Sequence, residues 1–203
     1  MRVRALLGIA ILGTMLAAVG CHVQVDKGNN GEDKNVRIET PLGGLQVRSD
    51  QTTAADLGLP VYPGAQAAQD NGGDKSADVR MGFGEWQMRV EVVTYETSDA
   101  QSRVIAFYKK AMGRFGDVLS CQGNQAVGTP TVTGEGLTCS ESGTSHVQVN
   151  GVNVDDENDF TLRAGSKHHQ HIFVLKSSGQ GTRFSLVDLE LPAGTKGDSG
   201  NSD

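Results

Sequence analysis

Residues 85–97 read EWQMRVEVVTYET, and their alternation decides the fold. Trp86, Met88, Val90, Val92 and Thr94 fall on one face of an extended chain; Gln87, Arg89, Glu91, Val93 and Tyr95 fall on the other. Side chains of a strand alternate with period two, so this run predicts a β-strand. Upstream, ADVRMGF (77–83) predicts its partner, with Gly82 and Gly84 at the turn between them. Downstream the period changes. Gln101, Val104, Ile105, Tyr108, Ala111 and Met112 share one helical stripe, which predicts an amphipathic helix over about 98–113. Ser98 with Gln101 three residues on makes a capping-box pattern, and Gly113 is placed as the C′ stop.

Working outward, Val36, Ile38 and Thr40 pair with Leu45 and Val47 across Pro41-Leu42-Gly43-Gly44, predicting a hairpin with one buried face. Pro60 and Pro63 exclude a central strand from DLGLPVYPGAQ (56–66). Beyond the helix, DVLSC (117–121), GLTC (136–139), HVQVN (146–150), DFTLR (159–163), HIFVLK (171–176) and TRFSLVDLEL (182–191) predict short strands. The last two form a hairpin through 177–181. One helix among nine or ten strands predicts an α+β fold, mainly antiparallel sheet with the helix on one face. The segment 86–121 is expected at the centre of that sheet.

The first 21 residues, MRVRALLGIAILGTMLAAVGC, carry Arg2 and Arg4, an apolar run from Ala5 to Val19 and small residues before Cys21. This is the pattern of a secretory signal. The run is short for a hydrocarbon core that wants roughly 20 apolar residues. With a Cys after its small residues, it resembles a bacterial lipoprotein signal, a lipobox. That resemblance implies diacylglycerol on the Cys21 thiol, cleavage before it, acylation of the new amino terminus and a membrane partner through lipid. His22 in place of Asp after the Cys implies the outer membrane, facing the periplasm. The expected organisation is a signal peptide (1–20), the lipidated Cys with a flexible tether (21–35), one α+β domain (36–191) and a disordered tail (192–203).

A second resemblance is carried by DLGLPVYPGAQ and VIAFYKKAMGRFG, spanning residues 56–116. It is to uncharacterised bacterial exported proteins that pair a YPGA segment with an FYK helix. It implies export and brings no activity with it.

Cleavage would leave 183 of the 203 residues and, by removing Arg2 and Arg4, move the formal net charge from −6 to −8. So acidic a surface disfavours nucleic-acid partners, because phosphate contacts need a basic one. Of three cysteines, a lipidated Cys21 leaves Cys121 and Cys139 as a pair in an oxidising compartment, predicting a structural disulfide.

Chemistry is sought first in Ser166-Lys167-His168-His169-Gln170-His171. On a strand His169 and His171 share a face, and two imidazoles so placed bind Zn²⁺ or Cu²⁺ if a third ligand arrives. The partners considered are His146 and the acids Asp155, Asp156, Glu157 and Asp159. If 164–167 is a turn, those acids sit too far along the adjoining strand to reach His169, so no bound metal is expected. VDDENDF (154–160) fails as an EF-hand loop, since Phe160 and Ser166 stand where Gly and Glu are required. No GxSxG nucleophile motif is present, and Gly82-Phe83-Gly84 precedes a strand where a dinucleotide fingerprint needs a helix. The expectation is therefore a lipid-anchored envelope protein acting as a binding or structural component, with a possible envelope protein partner, no catalytic residues and no cofactor. The alternative is a metal-binding envelope protein using the His168–His171 cluster. An envelope hydrolase has no motif behind it.

Overall fold

The computed structural model describes residues 21–27, 33–68, 74–140, 148–149, 152–153, 159–176 and 181–192. The expected signal peptide and the tail beyond Pro192 lie outside them. In chain order the elements are β1 (His22–Lys27), β2 (Asp33–Thr40), β3 (Gly43–Ser49), β4 (Gln66–Ala67), β5 (Ser76–Phe83) and β6 (Trp86–Thr97). Helix α1 (Gln101–Met112) follows, continued by a 3₁₀ turn over Gly113–Phe115. Then come β7 (Leu119–Gln122), β8 (Gln125–Ala126), β9 (Gln148–Val149), β10 (Val152–Asn153), β11 (Phe160–Gly165), β12 (His169–Lys176) and β13 (Thr182–Glu190). Among the described residues strand predominates and α1 is the single α-helix, so the fold is α+β and mainly antiparallel sheet.

The main sheet runs β1-β2-β3-β5-β6-β13-β12-β11-β7-β8, with β4 paired to β6, and every pairing is antiparallel. β6 lies mid-sheet as expected, but β7 does not join it. β13, β12 and β11 separate the two, and α1 crosses over them. The reason is hairpin pairing: β12–β13 and β11–β12 are neighbours in sequence, and together they occupy the positions beside β6.

On the helix face, Val93, Tyr95, Phe173, Leu175, Phe184, Leu186, Leu162 and Ala164 meet Val104, Tyr108 and Met112 in the largest core cluster. Ala54, Leu57, Leu59 and Tyr62, from the proline-bounded segment, complete it. The YPGA and FYK segments touch directly. Tyr62 packs edge-on to Phe107 with ring centroids 5.1 Å apart, and the Tyr108 hydroxyl accepts from Tyr62 N and donates to Pro60 O, both at 3.2 Å. Arg114 Nη1 adds a bond to Gly58 O at 2.9 Å. What the two segments share is therefore a packing interface.

The opposite face buries Val90, Val92, Ile172, Val174, Val187 and Leu189, with Val152 of β10 among them. Leu119 and Cys121 pack there against Leu137 and Cys139, and Cys121 and Cys139 are joined in a disulfide, Cα atoms 5.7 Å apart.

Several expectations are corrected. The stretch 22–27 is a strand paired to β2 where a tether was expected. HVQVDK alternates, and pairing with β2 holds it along one edge even though every side chain is exposed. The β2–β3 hairpin is only half-buried, because among the described residues no helix covers that end of the sheet. The helix starts at Gln101 with Ala100 as N-cap and no side-chain cap, and Gln101 is exposed. Asp99, outside the helix, instead accepts from the Tyr62 hydroxyl at 2.7 Å, and its carbonyl accepts from Thr182 Oγ1 at 2.6 Å. Gly113 stays right-handed, and Gly116, at φ 112°, makes the exit. GLTC (136–139) forms no strand, since its Cys is tied to β7 across the face of the sheet and not along its edge.

Candidate metal-binding cleft

The helix face changes character at one register. In β6, Tyr95 and Val93 are apolar and buried, and Glu91 and Arg89 follow on the same face. In β13, Phe184 and Leu186 give way to Asp188 and Glu190; in β12, Leu175 and Phe173 give way to His171 and His169. Antiparallel register aligns these three switches, and β5 extends the polar rows with Asp78 and Arg80. His171, Asp188, Glu91 and Asp78 lie opposite one another in one row; His169, Glu190, Arg89 and Arg80 fill the next. The helix covers the apolar half and ends before the polar half.

The inner row is buried: Asp78, Glu91, His171 and Asp188 are 5%, 3%, 6% and 7% exposed. Buried charge needs partners, and arginines of the outer row supply them. Arg80 Nη2 donates to Asp78 Oδ2 at 2.8 Å, and Arg89 Nη2 pairs with Glu91 Oε1 at 2.7 Å. Burial still pushes the Glu91 carboxyl above its usual range, with Arg89 opposing, and Glu91 Oε2 has no hydrogen-bond partner.

At the other end of the row two imidazoles converge on one carboxylate. His169 Nε2 lies 2.8 Å and His171 Nδ1 3.4 Å from Asp188 Oδ1, with the ring centroids 4.7 Å apart. His171 stacks on Phe115 at 3.5 Å and 17°, which fixes its ring plane. Its Nδ1 is buried without a hydrogen-bond partner. Burial lowers the His171 pKa to about 4, helped by the positive potential of His169 and Arg114. Burial raises that of Asp188, against the pull of His169.

The β11–β12 turn aims these side chains. Gly165 takes φ 101°, a left-handed value that suits glycine, and a Cβ there would strike the carbonyl oxygen of His169. Ser166 Oγ accepts from the backbone N–H of His168 and His169 at 3.3 and 3.1 Å, fixing where β12 begins. Above the triad is an open cleft of about 480 Å³, walled by Asp56, Leu57, Gly58, Phe115 and Ser166. A groove of about 470 Å³ along Arg37, Gln46 and Arg80 shares Arg89 and Glu190 with it.

Among the expected residues, His169 and His171 do share a site. His168 does not; it is exposed in the turn, its carbonyl accepting from Leu191 N at 2.7 Å. Asp159 is bonded to Lys176 Nζ at 3.2 Å, at the far end of β12 from His169. His146, Asp155, Asp156 and Glu157 lie outside the described residues. The premise that a third ligand must come from that side of the chain does not hold, because Asp188 arrives from β13. The signal lies in parity: Asp188 shares that of Phe184 and Leu186, so it points to the same face as those two core residues.

A histidine neutral in the fold but protonated when unfolded weakens the fold in acid. The contribution of neutral His171 is complete above the ordinary imidazole value near 6.5 and is lost as pH falls toward about 4. After screening at the cleft mouth the loss is on the order of 1–2 kcal/mol by pH 4.5. Asp188 and Glu91, both raised, change stability in the opposite sense in acid. His171→Phe, which keeps the stack on Phe115, should therefore lose less stability than wild type between pH 7 and 4.5 in urea titrations with chelator present. Equal losses would remove His171 as the acid-sensitive group.

No family model, curated protein or solved structure matches this chain.

Proposed function

We propose that the protein is a lipid-anchored component of the bacterial cell envelope that works by binding, with the cleft above His169, His171 and Asp188 as its binding site. The observation that carries the binding role is a buried imidazole nitrogen, His171 Nδ1, that makes no hydrogen bond at the floor of an open cleft. Burying an unsatisfied polar atom costs about 1–3 kcal/mol, a cost a ligand at that position would relieve. Ser166, the hydroxyl beside the triad, has its oxygen committed to two backbone N–H groups, which favours binding over nucleophilic chemistry.

The anchor rests on the lipobox. β1 begins at His22, directly after Cys21, so lipid on that thiol would hold the β1 edge of the sheet against the bilayer. No helix among the described residues is long and apolar enough to cross a membrane. His22 after the Cys favours the outer membrane, periplasmic side. Cys21→Ser is expected to move the protein from the membrane fraction to the soluble fraction, or to leave an unprocessed precursor. A Cys21→Ser protein still sedimenting with membranes at mature size would overturn the anchor.

A further inference from the structure

We infer that His169, His171 and Asp188 form a three-ligand site for a borderline divalent metal ion of the Zn²⁺ class, bound through His169 Nε2, His171 Nδ1 and Asp188 Oδ1. This rests on reading the cleft as the binding site and names its ligand.

The three ligand atoms lie within 4.8 Å of one another. Ligands about 2.1 Å from a tetrahedral Zn²⁺ stand roughly 3.4 Å apart. The His171–Asp188 separation of 3.4 Å meets that spacing. The His169–Asp188 separation of 2.8 Å is a hydrogen bond, and His169, half-exposed on the cleft rim, needs only a small side-chain rotation to open it.

A simple ion pair of His169 with Asp188 accounts for two of the three groups and leaves the third unexplained. His171 Nδ1 sits in the same cluster, nine-tenths buried, 3.4 Å from Asp188 Oδ1 and without a hydrogen bond. An ion placed between the rings would take that lone pair together with those of its neighbours. Stacking on Phe115 and the buried position of Asp188 hold two ligands in place before any ion arrives. This preorganisation reduces the ordering cost of binding.

The donor set selects the ion. Two imidazole nitrogens and one carboxylate suit Zn²⁺, Cu²⁺ or Ni²⁺, whereas Mg²⁺ and Ca²⁺ want an all-oxygen shell. Three protein ligands leave a coordination position open toward the cleft, unlike a closed four-ligand structural site. Such a site takes an ion from solvent and can bridge it to a further ligand.

The test uses full-length protein purified from membranes in detergent and stripped with chelator. Calorimetric titration with Zn²⁺ should show one ion per chain at micromolar or tighter affinity, and no saturable binding of Mg²⁺. His169→Ala, on the exposed rim, and Asp188→Asn should each weaken Zn²⁺ binding by at least the roughly 10–100-fold that follows from losing a group that merely supports a metal ligand. His168→Ala should leave it unchanged. Circular dichroism and an intact Cys121–Cys139 disulfide establish that each variant is folded, and His169→Ala keeps the test valid if Asp188→Asn is not. Absence of saturable Zn²⁺ binding in wild type would overturn the site, as would binding indifferent to His169→Ala. Either failure is separable from failure of the anchor: a protein that Cys21→Ser releases from membranes but that takes no Zn²⁺ keeps its anchor and loses its metal.

Discussion

Tyr108→Ala should cost this protein about 3–5 kcal/mol, the range for emptying a large aromatic site in a close-packed core. Tyr108 is fully buried at the centre of the helix–sheet interface. Its ring lies 5.2 Å from both Phe173 and Phe184 and 5.1 Å from Phe107, so truncation removes partners from three aromatic neighbours at once. It also strands Tyr62 N and Pro60 O, the two groups its hydroxyl serves, which detaches the 56–64 cover from the helix. Burial pushes the Tyr108 phenol pKa upward, so it is a neutral hydroxyl throughout any practical pH range. At this chain length the loss corresponds to roughly 6–20 °C in Tm. Tyr108→Phe keeps the packing and loses only the hydroxyl, about 1–2 kcal/mol. Urea midpoints of the two variants separate these terms. A Tyr108→Ala cost below about 1 kcal/mol would mean that the helix does not seat on the sheet as described.

Breaking the Cys121–Cys139 bridge is the second large effect, about 3 kcal/mol from the unfolded-state entropy of a loop with a sequence separation of 18. Cys121→Ala/Cys139→Ala should show that loss, and wild type under reductant should match it. Both sulfurs are buried with Leu119 and Leu137, so alanine leaves an apolar gap and no stranded hydroxyl. Hydrogen exchange should rise first in 123–138, the segment the bridge holds to the sheet, and much less in the helix. Thiols of native protein should resist alkylation until reductant is added. Two alkylatable thiols in oxidised, periplasmically produced protein, or no stability difference in the double variant, would refute the account.

Local pattern carried much of this fold. β6 is legible through its alternation, and β12 and β13 through dense apolar runs that fill both faces of the sheet, as strands buried on both sides do. The helix is legible through the stripe of Val104, Tyr108 and Met112. Its ends were not. Ser98 and Gly113 have the right chemistry for caps, but Thr182 and Tyr62 engage Asp99, and the Arg114–Gly58 contact accompanies a further 3₁₀ turn. Tertiary contacts of this kind outweigh a cap worth about 1 kcal/mol. The side chains of β1 promise no burial, so the sequence alone suggests a tether there; the strand is held by backbone pairing, to which side-chain polarity is a poor guide.

The candidate site divides the same way. From the sequence alone came the shared face of His169 and His171, the pairing of the two cysteines left when Cys21 is set aside, and the hairpin joining 171–176 to 182–191. Each follows from chain periodicity or parity, which act within a few residues. Only the tertiary structure decided that Asp188 stands opposite His171, that Glu91 and Asp78 continue the row, and that the helix ends where the row begins. Those facts depend on inter-strand register and on how far a helix reaches across a sheet. Both are set by packing the whole apolar face at once, so no single segment contains them.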